Sequence, residues 1–423
     1  MTRPWWERDA EACWHPYTQH GVGEPLLPVT GASGAWLELA DGRRMLDAIS
    51  SWWACLHGHG HPRLVDALAT QAAQLDHVLF AGCTHEPAVM LAERLAAAAP
   101  DGLTRTFFSD DGSTAVEVAL KACYSAAARR GEGERTLFVA LEGGYHGDTF
   151  GAMAVGDPVP FFEEFDPLLF EVQRVPATAE ALEAVMSAHG PRTAAIILEP
   201  IVQGAAGMQP VAPEVVRAAR SLADEHGAFL IADEVMTGFG RTGTLFACEQ
   251  AAVAPDAMCL SKGLTGGTLP LAVTLFTDAI FEAFRSEDRA RMFFHGHTYT
   301  GHPIGCAVAL ASLDLVEEND VPARFEAQGR RIAAGLDAQL GDGPHLVRRR
   351  FGGIVAVELE GDGGYLADVG AKLKTACREH APDVLLRPLG NVLYSLAPAC
   401  LTEEECDLVA TRMAAVLEAV RGL

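Results

Sequence analysis

AFLIADEVMTGFG, residues 228–240, is the stretch on which the fold turns. Its apolar residues run without alternation up to Asp233, the pattern of a strand covered on both faces rather than half exposed to water. Asp233 and Glu234 close that run, and the carboxyl ends of strands are where open parallel sheets bind their ligands. The same grammar recurs in TLFVALEG (136–143) and AAIILEP (194–200), with Ala-rich helical segments such as PEVVRAARSLADEHG (213–227) between such runs. Strands alternating with crossover helices predict an α/β protein with a doubly wound, mostly parallel central sheet.

Beyond residue 308 the pattern changes. ASLDLVEEN and RFEAQGRRIAAGLDAQL read as helices and GIVAVELE as a strand, and a terminal helix opens at Thr402 with Glu405 in capping-box position. The expected division is an N-terminal segment (1–55) joining a C-terminal small domain (309–423), and a large domain over 56–308.

At 423 residues and 49% hydrophobic the chain can bury large cores. Its formal charge of −24 presents nucleic acid with a repulsive surface. The opening MTRPWWERDAEACW has no continuous apolar h-region, no later stretch reaches the length of a membrane span, and ten cysteines are scattered without a CxxC pair. A cytoplasmic protein is the expectation.

Four features carry chemistry. In CLSKGLTGG (259–267) Lys262 follows a second strand-like run 29 residues after Asp233. A lysine held among Gly, Ser and Leu loses solvation, its pKa falls, and the neutral amine becomes available to an aldehyde. A carboxylate nearby would keep a pyridine nitrogen protonated. FFSDDGSTAVEVALKAC (107–123) reads as a strand, a turn and a helix starting near Thr114, whose amides at Gly112, Ser113 and Thr114 would face an anion. In EGGYHGDT (142–149) Tyr145 could lay its ring on a planar group. Each also has a bland reading: a solvated lysine, a helix-entry acid pair, a plain capped turn, an ordinary loop aromatic.

Together they carry a resemblance. GSTAVE (112–117), YHGDT (145–149), EPIVQGAAGM (199–208), ADEVMTGFGRTG (232–243), SKGLTGG (261–267) and HTYTGHPIGCA (297–307) resemble, in order and spacing, the class III, fold-type I, pyridoxal-phosphate aminotransferases. WHPYTQ (14–19), SSWWACLHGHGHP (50–62) and RPLGNVLY (387–394) are similar, more narrowly, to the branch that serves biotin biosynthesis. The resemblance implies pyridoxal 5'-phosphate as cofactor, S-adenosylmethionine as amino donor, 7-keto-8-aminopelargonate as acceptor, and a homodimer with shared active sites. Lys262, Asp233 and Tyr17 would form the catalytic set. Gly112, Ser113, Tyr145, Val235 and Thr298 would join Asp233 and Lys262 in holding the cofactor, Thr298 from the other subunit. Tyr17, Trp52, Trp53, Tyr145, Asp148, Arg241, Gly296, Arg387 and Tyr394 would meet substrate, with Arg387 taking the acceptor's remote carboxylate through its planar fork.

Two neighbouring tryptophans on a strand face opposite ways, so Trp52 is expected in the pocket and Trp53 in the body. Aromatic walls suit a cationic sulfonium donor. His297 stands where the family pattern has proline. HGHGH (57–61) and HGH (295–297) raise a metal site, against which no Cys or carboxylate is spaced to complete a tetrahedral set, and none is assigned. Two other readings stay open: a class III transaminase acting on an ω-amino acid or amine, or a lysine-donor variant of the biotin enzyme; and a metal-binding or scaffold protein without catalysis.

Overall fold

The structure is a computed structural model and describes residues 3–21, 26–158, 160–341, 346–360 and 368–421. Seven strands form the central sheet, in the order Leu103–Ser109, Ala272–Thr277, Ala257–Leu260, Phe229–Asp233, Thr193–Leu198, Leu137–Leu141, Val172–Val175. All neighbours along it pair in parallel except at Ala272–Thr277, which runs against both of its partners. The apolar runs quoted above sit at the middle of this sheet. Thr193–Leu198 and Phe229–Asp233 are buried at every residue, because helices such as Gly112–Arg129 and Pro213–His226 cover its faces. Each fully buried Ile or Leu there contributes about 1.5–3 kcal/mol.

The sheet places the two chemical groups. Asp233 is the last residue of its strand and lies in register with Cys259 on the adjacent parallel strand; Lys262 follows three residues further along. The 29-residue interval therefore spans one connection between neighbouring strands, and both side chains emerge at the same edge. Glu234, one step on, turns the other way and caps the loop beyond, accepting from Thr237 Oγ1 at 2.6 Å, Ala247 N at 2.9 Å and Cys248 N at 2.8 Å.

Smaller sheets complete the fold. Val29–Ser33, Trp36–Leu39 and Arg44–Asp47 form an antiparallel meander that the C-terminal strand Val384–Leu385 joins in parallel. Leu346–Phe351, Ile354–Leu359 and Val392–Ser395 make a third sheet. One core accordingly combines Ala35, Leu46 and Ala48 with residues from Ile332 to Val420. The helix Glu403–Arg421 is opened by the expected box, with Thr402 Oγ1 accepting from Glu405 N at 3.2 Å and Glu405 Oε2 from Thr402 N at 2.8 Å.

Residue 308 falls inside the helix Pro303–Glu318, whose Cys306, Ala309, Leu313 and Val316 belong to the large-sheet core. The following helix, Val321–Leu340, buries Val321 and Phe325 in that core and Ile332, Leu336 and Leu340 in the small one. We propose that the division between the two bodies lies within this helix, between Phe325 and Ile332, rather than at 308.

Two glycines follow the Lys262 turn for a steric reason. At Gly267, φ is +82° and a Cβ would lie 2.7 Å from the Ala54 carbonyl carbon and Cys55 nitrogen, so the lysine loop rests directly on the backbone after Trp53. Gly267→Ala is expected to destabilise the protein by at least about 1–3 kcal/mol, the usual cost of a strained backbone position, in denaturant unfolding. Gly42→Ala, also left-handed but facing open space, should lose distinctly less.

Candidate active site

At the strand edge carrying Asp233 and Lys262 lies a cavity of ≈ 550 Å³. Asp233 is buried at its floor. One carboxylate oxygen takes the Val235 amide at 3.0 Å and the other lies 2.7 Å from His146 Nδ1, leaving His146 Nε2 buried without a partner among the described residues. Burial would push His146 down, but the Asp233 carboxylate raises it above the ordinary imidazole value. The pair is thus a buried carboxylate with an imidazole behind it.

Lys262 faces the same cavity from a backbone φ of +43°, a left-handed turn that a lysine adopts only under constraint. Its Nζ stands 4.5 Å from the centroid of the Trp53 ring. Burial lowers its pKa to about 8, against the opposing pull of Asp233 and Glu199. Glu199, which ends the neighbouring strand run as Asp233 ends its own, accepts from Tyr145 N at 3.0 Å and Gly204 N at 2.9 Å, and burial lifts it to about 7.

The anion cradle is built by the helix Gly112–Arg129. It starts two residues earlier than its apolar period suggests, because Asp111 caps it: Asp111 Oδ1 accepts from Thr114 N at 2.9 Å. The Thr114 amide, expected to face an anion, is consumed by that cap. The amides of Gly112 and Ser113 have no acceptor among the described residues, and both residues line the cavity. A Cβ on Gly112 would meet Val235 Cγ1 at 2.7 Å, so valine and glycine together shape a narrow slot.

Towards solvent, Tyr17 Oη donates to Asp148 Oδ1 at 2.7 Å and Tyr145 Oη to the same oxygen at 3.0 Å. The Tyr17 ring meets Trp52 edge-on at 5.6 Å, and the Arg387 guanidinium lies 4.9 Å over Trp52. Tyr394 is buried and its hydroxyl takes the Trp53 indole N–H at 2.9 Å.

Several expectations need correcting. Trp52 and Trp53 both line the cavity. They do not lie on a strand: Ser50, Ser51, Trp52 and Trp53 have φ of 51°, 44°, 71° and 73°, a left-handed turn of four L-residues, each costing about 1–2 kcal/mol. Trp53 is at once buried and cavity-lining, so the choice between body and pocket does not arise.

Arg241 does not reach the cavity. Only 1% exposed, it sits behind the tryptophans, donating to Ser50 Oγ and to the carbonyls of Ala397, Trp53 and Cys55 at 3.0–3.1 Å. Gly296 and Thr298 are exposed and do not line the cavity of their own chain. Of the histidines weighed for metal, His57 pairs with Ser312 Oγ, His59 with Asp47, and His295 with Lys121; His297 lies 3.7 Å from Asp110. Among the described residues no three or more His, Cys, Asp or Glu are grouped to hold a metal.

Sequence reasoning missed His146 and Glu199, although both stand in quoted motifs. Glu199 closes an apolar strand run as Asp233 does, and the same reading would have found it.

A partly desolvated amine, a buried carboxylate at the cavity floor, an aromatic wall and a glycine-lined anion slot form a site for a phosphorylated pyridine aldehyde. The chain belongs to the class III aminotransferases: that family's model matches residues 17–417. The cofactor of the family is pyridoxal 5'-phosphate, and the residues present fit it. Adenosylmethionine-8-amino-7-oxononanoate aminotransferase of Synechococcus elongatus is 46% identical over 96% of this chain and 98% of that one. A solved structure of the enzyme of that name from Methanocaldococcus jannaschii superposes with a TM-score of 0.93 at 34% identity, covering 99% of this chain and 98% of that one. An amine transaminase from an uncultivated Pseudomonas species, solved in its PLP-bound form, gives a TM-score of 0.88 at 31% identity over 96% of this chain and 99% of that one.

Because the neutral amine is the reactive form, the capture of pyridoxal phosphate by cofactor-free protein is expected to speed up as pH rises through about 8, well below the range of an ordinary lysine, and then to level off. Stopped-flow absorbance over a pH series, with mass spectrometry of the borohydride-reduced Lys262 peptide, checks both the profile and the residue.

Proposed function

We propose that the protein transfers an amino group from S-adenosylmethionine to 7-keto-8-aminopelargonate, giving 7,8-diaminopelargonate in biotin biosynthesis. The observation that carries this reading is a single cavity around one amine whose mouth sets groups of both kinds side by side. Tyr17, Trp52 and the Asp148 carboxylate offer ring faces and negative charge to a cation. Arg387, 4.9 Å over Trp52 and within hydrogen-bond reach of the Tyr17 carbonyl, offers a fork to a carboxylate. A sulfonium donor and a long-chain carboxylate acceptor, binding in turn, would each find a partner there.

Within it Lys262 Nζ, as base and then acid, removes the proton from the carbon bearing the donor's amino group and passes it on within that half of the cycle, and in the other half delivers a proton to the acceptor's former carbonyl carbon. The cofactor, when bound, withdraws electrons from that carbon. Asp233, backed by His146, would keep the proton on its pyridine nitrogen, with Val235 and Tyr145 as the walls flanking it. Gly112 and Ser113 would hold the phosphate. Tyr17 and Asp148 close the mouth, and Tyr394 steadies Trp53 through its hydroxyl.

The protein acts as a homodimer in the cytoplasm in this reading. Support for the dimer comes from the segment around Thr298, which leaves its own cavity and exposes Met292, Phe294 and Tyr299, apolar groups that a second copy would cover. Support for the compartment is that the ten cysteines are free and no helix among the described residues is long and apolar enough to cross a membrane.

Holoenzyme given S-adenosylmethionine, lysine, ornithine and β-alanine separately should convert its cofactor spectrum to the amine form with the first. Conversion by lysine, or by β-alanine, in its place would move the chain to a lysine-donor or ω-amino acid transaminase. Arg387→Ala should raise KM for 7-keto-8-aminopelargonate about tenfold to hundredfold, the worth of a charged hydrogen-bonded pair.

A further inference from the structure

The left-handed turn that carries both tryptophans does not hold itself. Its backbone closes on Ile49 and Ser50 carbonyls and Arg241 grips Ser50 Oγ and the Trp53 carbonyl, while a buried carboxylate, Asp47, takes the Ile49 amide and both Ser51 donors. Asp47 Oδ1 accepts from Ser51 N at 2.9 Å and Ile49 N at 3.3 Å; Oδ2 accepts from Ser51 Oγ at 2.8 Å and lies 2.9 Å from His59 Nε2. His59 is pinned independently, since its backbone exchanges two hydrogen bonds with Gly34, at 2.7 and 3.0 Å.

Asp47 also ends the strand Arg44–Asp47 and lies in register with Leu385, two residues before Arg387. One residue therefore ties down both partners of the Trp52–Arg387 stack, which forms part of the wall between the ≈ 550 Å³ cavity and a second of ≈ 570 Å³ that shares Tyr17, Trp52 and Arg387 with it. The same turn sets Trp53 against Lys262 Nζ.

We propose that Asp47, paired with His59, is a positioning residue: by holding Ser51 in its left-handed conformation it sets where Trp52 and Trp53 stand against Arg387 and Lys262, and so sets the affinity for the amino donor. Burial would raise the Asp47 carboxyl, but the His59 ring and the two Ser51 donors keep it below its ordinary value, so the clamp is ionic at neutral pH. The proposal rests on the functional reading only for the identity of the donor.

The test uses holoenzyme carrying Asp47→Ala or Asp47→Asn beside the unsubstituted protein. Alanine leaves four donors without an acceptor. Asparagine keeps one acceptor oxygen and serves as the conservative variant that retains the fold. Two readouts are taken: near-ultraviolet circular dichroism of the tryptophans without substrate, and the concentration dependence of the half-reaction with S-adenosylmethionine. Asp47→Ala should change the tryptophan signal and raise the half-saturating donor concentration at least about tenfold while the saturated rate stays within about threefold, the mark of lost binding rather than lost chemistry. Asp47→Asn should recover part of both.

Unchanged tryptophan signal and unchanged half-saturation in folded variants would overturn the proposal. So would a fall in thermal stability with half-saturation intact, which is the behaviour of a merely structural acid. Should Asp47→Ala fail to fold, the same two readouts on Asp47→Asn decide. If the unsubstituted holoenzyme ignores S-adenosylmethionine, it is the donor assignment that fails, and the circular dichroism comparison judges the clamp alone.

Discussion

Everything in this molecule is arranged around an amine and a carboxylate that share a cavity at the ends of two adjacent parallel strands. Water would hold Lys262 as an ammonium and weaken the pull of Asp233 on a ring nitrogen. Burial makes the first a nucleophile and strengthens the second's charge interactions, and burial at that point requires a sheet covered on both faces. The apolar strands Thr193–Leu198 and Phe229–Asp233 are thus more than filler. They lower the dielectric in which the chemistry occurs.

Desolvated charge must be answered locally, and the fold answers it with second partners. Asp233 has His146, Glu199 has two backbone amides, and Arg241 has three carbonyls and a hydroxyl. Arg241 shows how such a partner becomes architecture. Its four acceptors belong to the tryptophan turn and to Ala397 near the chain's end, so the guanidinium staples segments that no strand pairing joins at that point.

Much of the fold was legible because a parallel strand buried on both faces leaves an unmistakable apolar run, and because Asp233 and Lys262 interrupt such runs with groups that have no business there unless they work. The tryptophan turn was not legible. Nothing in Ser-Ser-Trp-Trp announces a left-handed conformation, for which glycine or asparagine is the usual sign, and the clamp that enforces it comes from Asp47 and His59 on either side. Arg241 was misread for a related reason: a motif gives the residue but not the direction of its side chain. His146 escaped because histidine beside a wall tyrosine looks incidental until the acid behind it is in place. Thr298 and Gly296 lie exposed and away from the cavity of their own chain, a placement that their motif does not disclose.

The helix Val321–Leu340 has a mechanical meaning beyond its packing. Sunk by Phe325 into one core and by Ile332, Leu336 and Leu340 into the other, its twenty residues form a rod of about 30 Å rather than a flexible tether. The two cores share a rigid rod, and they are also sewn together where Trp53 and Met236 pack with Ile354 and Tyr394 and where Arg241 binds the Ala397 carbonyl. Parting them would mean unwinding a helix and tearing open that shared cluster.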